Sequence, residues 1–292
     1  MGMGRGLAVA SALLWWSGPV RAEEPRPVRT QALQAEVQGF VERELAAHLE
    51  AIPTLDPPPE RIYGALTTGE FSWGSFMRAL GEYHELSARR TLAGRDLPQW
   101  VGRMGLIEAK SGKEFSQLYS AMALRSFGRD LTTNPVWQSL DADARRAWLD
   151  LLDPSRFYDA KTGRVLSNEN YLGVAVRILA ISQELGLTKD HTSIDALLDR
   201  ATVQFTSGNI YFDDQPPVGR YDRYSQEAAR YLWFAASNAG RKDVLDALRP
   251  SLKVQMRLWW DLVSKDGYGY TWGRSLGLIG TPRLRHSQHL TS

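Results

Sequence analysis

Apolar residues recur every three or four positions along most of the chain, which predicts amphipathic helices rather than strands. Over residues 30–52 the stripe is Val37, Phe40, Val41, Leu45 and Leu49. The run Pro53-Thr54-Leu55-Asp56-Pro57-Pro58-Pro59 then stops any regular element. Residues 73–90 place Phe76, Leu80, Tyr83 and Leu86 in phase, and residues 97–109 form a shorter helix around Trp100, Met104 and Ile107. Residues 113–127 carry Phe115, Leu118, Tyr119 and Met122, and residues 136–152 carry Trp137, Leu140, Trp148 and Leu152. The strongest pattern spans 168–186, from Ser167 or Asn168 as cap to Gly186 as stop. Helices over 193–206, 222–239 (ending before Gly240) and 241–264 follow, and Pro250 is expected to kink the last or to start a new one. Period-two stretches such as Ile210-Tyr211-Phe212 and Tyr268-Gly269-Tyr270 are too short to make a sheet.

Four turns punctuate this pattern. Lys110-Ser111-Gly112, Lys161-Thr162-Gly163, Thr206-Ser207-Gly208 and Lys265-Asp266-Gly267 each follow a predicted helix, with glycines 51, 45 and 59 residues apart. A repeat of roughly 50 residues fits a helix–turn–helix unit that buries its apolar face by stacking on its neighbours. Chance spacing of common glycines is the competing reading. The long loops carry Trp, Tyr, Asp, Asn and Arg, and such loops on one face of a helical scaffold are where binding sites are built. That favours a ring of hairpins with a pocket at one end over an open solenoid.

Composition narrows the class. Of 292 residues, 43% are hydrophobic and 10% aromatic, enough for a packed core and too many for a disordered chain. Thirty-five basic against 33 acidic residues leave a net charge of +2, too balanced for a nucleic-acid surface. Arginine dominates the basic residues, 28 to 7 over lysine, which suits acidic ligands but equally fits codon bias. With no cysteine there are no disulfides, no thiol chemistry and no Cys-ligated zinc. The N-terminal MGMGRGLAVASALLWWSGPVRA has Arg5, an apolar run over Leu7–Trp16 and Val20-Arg21-Ala22 before a polar stretch. This is the pattern of a secretory signal peptide over residues 1–22, with an uncleaved anchor as the alternative. The run is shorter than the roughly 20 apolar residues a membrane span needs. A periplasmic or extracellular protein, without a stable membrane span once the signal is cleaved, is expected.

Three segments could carry chemistry. The densest runs from Tyr211 to Glu227, where Asp213 and Asp214 lead through Pro216-Pro217-Val218-Gly219-Arg220 to a helix starting near Asp222. Tyr221, Tyr224, Ala228, Tyr231 and Ala235 share one face of that helix, and Arg223 can pair with Glu227 along an adjacent one. Hydrolysis of a glycosidic bond uses two carboxylates, and Asp213, Asp214, Asp222 and Glu227 are candidates. Lyase cleavage of a uronate uses a base such as Tyr221 or Tyr224 and a group that offsets the developing charge. Asp222 reads equally as a helix cap, and the tyrosine stripe as core. The second segment, Ser167-Asn168-Glu169-Asn170-Tyr171, opens a helix where Asn168, Asn170 and Tyr171 could bind sugar hydroxyls or a carboxylate, or simply cap. In the third, Trp272 offers a flat face for a sugar ring and Arg274 a partner for a carboxylate, unless the aromatics only pack beneath the loop. His48, His84, His191, His286 and His289 lack the spacing of a zinc site, and there is no nucleophile elbow or phosphate loop. No metal and no cofactor is expected.

The runs NENYLGVAVRI, FDDQPPVGRYDRYSQEAARYLWFAA and WWDLVSKDGYGYTWGRSLG resemble a bacterial family of (α/α)-toroid proteins of largely uncharacterised function. That family is related to glucuronidase-like glycoside hydrolases and, more distantly, to heparinase- and alginate-type polysaccharide lyases. The resemblance covers roughly residues 100–277 and is carried best by Tyr221-Asp222-Arg223-Tyr224 and Trp272-Gly273-Arg274-Ser275. It implies an all-α toroid of stacked helical hairpins acting on a carbohydrate, an acidic glycan in particular. Where the lyase relatives have Asn-His at an inner helix start, this chain has Asn170-Tyr171, which tips the expectation towards hydrolysis. The alternatives are a lyase of the same fold, a non-catalytic glycan- or protein-binding repeat protein, and an inactive fragment. The expected organisation is a signal peptide over 1–22, a helix and Pro-rich linker over 23–60, the toroid domain over 61–277, and an irregular tail over 278–292. That tail lacks a helical period and is expected to mark an incomplete ring. Oligomeric state is left open.

Overall fold

Helical periodicity becomes helix along most of the chain. The computed structural model describes residues 28–62, 65–66, 72–110, 114–153, 155, 158–159, 162, 164–165, 172–188, 191–206 and 223–262. The signal peptide and the tail expected from the sequence lie outside these residues. In chain order the elements are α1 (Val28–Ala51), β1 (Arg61–Ile62), β2 (Ala65–Leu66), α2 (Ser72–Ser87), β3 (Thr91–Leu92), β4 (Arg95–Asp96), α3 (Leu97–Glu108), α4 (Glu114–Ser126), α5 (Pro135–Gln138), α6 (Ala142–Leu151), β5 (Tyr158–Asp159), β6 (Arg164–Val165), α7 (Leu172–Glu184), α8 (His191–Thr206), α9 (Arg223–Asn238) and α10 (Lys242–Leu262). The all-α class stands. No helix among the described residues is long and apolar enough to cross a membrane. The chain divides between Leu151 and Leu152 into two compact units.

In unit 1, α2 and α4 form the most extensive helix pair. They run parallel: Gly74 faces Ser116 and Tyr119 near their starts, Gly81 faces Ala123 and Ser126 further on, and Glu85 pairs with Arg125 at 3.2 Å near their ends. Small residues let the two backbones approach, and Phe76, Leu80, Tyr83, Leu118 and Leu124 fill the core around them. Leu86, expected in that core, is half exposed one residue before the helix ends. Arg78 is buried on α2, bonded to Glu82 at 2.8 Å and lying over the Tyr119 ring at 5.0 Å. From α1, Leu45 and Leu49 join the core, and His48 meets Phe76 edge-on.

Beside this pair, α3 and α6 enclose Trp148, which is fully buried and donates its indole N–H to the Gly102 carbonyl at 3.0 Å. A Cβ on Gly105 would lie 2.0 Å from Trp148 Cζ2, so only glycine leaves room for the ring. The single helix expected over 136–152 is two. Asp141 caps α6 by accepting from the Ala144 amide at 2.8 Å, and Ser139 and Leu140 break the run. Asn134 caps α5 and is buried with both side-chain polar atoms engaged. Its Nδ2 donates to the Leu124 and Gly128 carbonyls at 2.8 Å, and its Oδ1 accepts from the Val136 and Trp137 amides.

Unit 2 repeats the plan. Helices α7 and α9 also run parallel, with Gly173 against Ala228 near their starts and the Asn238 amide donating to the Glu184 carboxylate near their ends. Residues 172–182 of α7 are buried on every side, which explains the nearly unbroken apolar sequence there. Helix α8 follows α7 in the chain, and α10 returns along α9, with Arg249 over the Trp233 ring. These two are clamped at their starts by Arg241, which bonds Asp195 and Asp199 of α8 and Asp243 of α10. The expected stops hold: Gly186 and Gly240 have φ of +74° and +68°, and the Leu187 and Arg241 amides bond back five residues to the Ser182 and Ala236 carbonyls. Pro250 sits inside one continuous α10.

Three two-stranded hairpins, β1–β2, β3–β4 and β5–β6, were below the reach of the sequence pattern. With two residues per strand they offer no period to read. The β3–β4 turn has Ala93 and Gly94 at φ +48° and +70°, the geometry of a type I′ turn. Thr162 of the Lys161-Thr162-Gly163 turn falls between β5 and β6.

Candidate functional site

The described part of the candidate site lies at the start of α9. A helix forms there because Ala228, Tyr231, Leu232, Ala235 and Ala236 keep the three-and-four spacing and are all buried. Glu227 lies one residue before the Gly173–Ala228 contact and leaves 19% of its side chain exposed. Its Oε2 accepts from the Tyr231 hydroxyl at 3.1 Å, and its Oε1 lies 4.0 Å from Arg230 Nη2. Tyr231 is itself 1% exposed, and the Arg230 guanidinium lies over its ring at 5.2 Å. The result is a carboxylate at the edge of the core, oriented by a buried phenol and an arginine on its own helix.

Of the other residues singled out in the sequence, Tyr224 falls on α9 but its side chain lies outside those described, as does that of Arg223. Asn168, Asn170, Tyr171, Asp213, Asp214, Arg220, Tyr221, Asp222, Trp272 and Arg274 lie outside the described residues. What the structure adds is the position of the helix ends that these segments join. Residues 166–171 lead into α7, residues 207–222 link α8 to α9, and residues 263 onward leave α10. The starts of α7 and α9 touch through Gly173 and Ala228. Helix α10 runs back along α9, with Arg249 over the Trp233 ring at 5.5 Å.

Two arginines escaped the sequence reading. Arg177 is buried in α7 with Nη1 3.6 Å from Glu184 Oε1, and its guanidinium lies over the Phe234 ring at 5.4 Å. Arg230 is the second. The signal for Arg177 was visible, since a lone arginine inside Leu172–Ile181 must be paired or held over a ring to be tolerated there. At the opposite end of unit 2, Arg241 is held more firmly protonated by Asp243 and Asp199. In return it pulls the Asp243 carboxyl down to about 2. Among the described residues no group of three or more His, Asp or Glu side chains is arranged to hold a metal ion. The chain matches no protein-family model, no curated protein and no solved structure.

Proposed function

We propose that the protein is an exported (α/α)-toroid protein that hydrolyses uronate-containing glycans at the end of unit 2 where α7 and α9 begin. One observation carries this reading: residues 166–171 and 207–222, two of the segments rich in Asp, Asn, Tyr and Arg, lead directly into α7 and α9, whose starts meet through Gly173 and Ala228. Two parallel helices also present their positive dipole ends there, which favours an anionic ligand. Arg220 and Arg274 supply the matching cations for a sugar carboxylate, Trp272 a face for the ring, and Asn168, Asn170 and Tyr171 hydrogen-bonding groups. Asp213, Asp214, Asp222 and Glu227 provide the pair of carboxyl groups that hydrolysis requires. Elimination is the second reading, favoured by Tyr221 and Tyr224 as candidate bases, and weakened by tyrosine rather than histidine after Asn170.

The test is incubation of the purified protein with oligogalacturonate, alginate and heparosan oligomers. Hydrolysis gives new reducing ends without the ultraviolet absorbance of an unsaturated uronate, and elimination gives both. Binding by calorimetry without product points to a non-catalytic glycan receptor. Neither product nor binding with any of these glycans contradicts the proposal.

A further inference from the structure

The two units share more than a plan. Gly64, Glu70, Gly74, Arg78, Leu80, Glu85 and Leu86 recur as Gly163, Glu169, Gly173, Arg177, Leu179, Glu184 and Leu185, each 99 residues later. The second helix of each pair corresponds at a spacing of 112. Ser116 and Ala228 face the matching glycines, and Ser126 and Asn238 meet the matching glutamates. Tyr119 and Gly128 then correspond to Tyr231 and Gly240. These contacts fix the register without reference to the loops.

In that register Glu227 stands where unit 1 has Phe115. Phe115 is 6% exposed and packs on Tyr119 four residues on, with ring centroids 5.8 Å apart. Glu227 keeps the same relation to Tyr231, but the ring-on-ring contact has become a carboxylate accepting from a phenol. An apolar ring at this place buries surface and costs no desolvation, whereas a half-buried carboxylate loses hydration that its neighbours must restore. Residues that forgo stability in this way cluster at working sites.

We propose that Glu227 is the carboxylate of unit 2 that acts on the glycan, and that Tyr231 is its positioning residue. The inference rests on the glycan reading above and deepens it by choosing among four acids. In hydrolysis Glu227 takes a proton from water while the water oxygen bonds to the anomeric carbon. The glycosidic carbon–oxygen bond breaks, and the departing oxygen takes a proton from a second acid drawn from Asp213, Asp214 and Asp222. The charge-assisted bond from Tyr231 fixes the direction of the accepting oxygen.

The experiment compares Glu227→Gln and Tyr231→Phe with the wild type in thermal unfolding and in turnover of oligogalacturonate, alginate and heparosan oligomers. Gln keeps the shape and still accepts from Tyr231. The expected result is a midpoint equal to or above wild type and a loss of turnover of about 100-fold or more. For Tyr231→Phe, kcat is expected to fall about 10-fold with KM unchanged. A Glu227→Gln midpoint lower by more than about 4 °C makes the carboxylate structural and overturns the inference. So does turnover retained above about a tenth of wild type. If the wild type turns over none of these glycans, the glycan reading fails, and the thermal result alone decides whether Glu227 is held at a cost to stability.

Discussion

In unit 1, α2 sets two glycines, Gly74 against Ser116 and Tyr119 and Gly81 against Ala123 and Ser126 of α4, and an added Cβ would meet its neighbours at 3.0–3.5 Å. In unit 2, α7 brings Gly173 alone to Ala228, where a Cβ would lie 2.6 Å from Ala228 Cβ and 2.8 Å from its carbonyl oxygen. Each first helix buries an arginine four residues after its first glycine and lays it over an aromatic ring of the second helix. The pairs differ next to that glycine contact, where unit 1 has a phenylalanine and unit 2 a glutamate. One scaffold thus serves cohesion in one place and presents a charged group in the other.

The largest expected effect tests the closer of the two contacts. Alanine gains about 1 kcal/mol of helix propensity over glycine, so the sign depends on whether the neighbour can give. At Gly74 the crowding is a few tenths of an ångström and the two terms offset, leaving Gly74→Ala within about 0.5 kcal/mol of wild type. At Gly173 the obstacle is the Cβ and backbone of Ala228, neither of which can swing aside, and Gly173→Ala is expected to destabilise by about 2 kcal/mol in denaturant unfolding. Equal losses at both sites would erase the distinction between the pairs.

The acid response separates the units next. Burial pushes His48, against Phe76 in unit 1, below its ordinary value, with Glu44 partly opposing. The unfolded chain therefore binds this proton more readily. Stability from His48 is complete above pH 6.5 and is lost as pH falls from 6.5 towards the lowered value. His48→Gln should flatten the stability–pH curve just below pH 6.5. In unit 2 the Asp243 carboxyl is depressed by Arg241. Its contribution is present above its ordinary 3.8 and is lost only as pH falls towards about 2. Asp243→Asn should change the curve in that lower window alone.

A smaller effect concerns the hairpins. Ala93 holds a left-handed conformation that asparagine and glycine adopt at less cost. Ala93→Asn is expected to stabilise the protein by about 0.5–1 kcal/mol, read as a higher unfolding midpoint. No gain would mean that the turn relaxes in solution.

Most helices could be read from spacing because their buried faces are long and apolar, and Gly186 and Gly240 marked two of their ends. The break at Ser139–Asp141 could not, because Trp137, Leu140 and Trp148 keep the helical period across it while Asp141 starts a new helix. The recurrence between the units also escaped, because its matches are mostly glycines and charged residues about 99 apart, while the conspicuous turn glycines recur about twice as often. At the site, the tyrosine and alanine face of α9 was legible for Ala228, Tyr231 and Ala235. The role of Tyr231 was not, since four-residue spacing alone does not distinguish a core ring from a hydrogen-bond donor to Glu227.

The central claim is that equivalent positions in the two units have been put to different uses, and one substitution in each unit tests it. Phe115→Leu should lower stability by about 1–2 kcal/mol, because it removes ring contacts from a packed core. Glu227→Gln should leave stability unchanged or raise it, because it removes the charge held at the core edge while still accepting from the buried Tyr231 hydroxyl. A loss at Phe115 and none at Glu227 in thermal unfolding is the predicted result; losses of similar size at both positions would contradict the account.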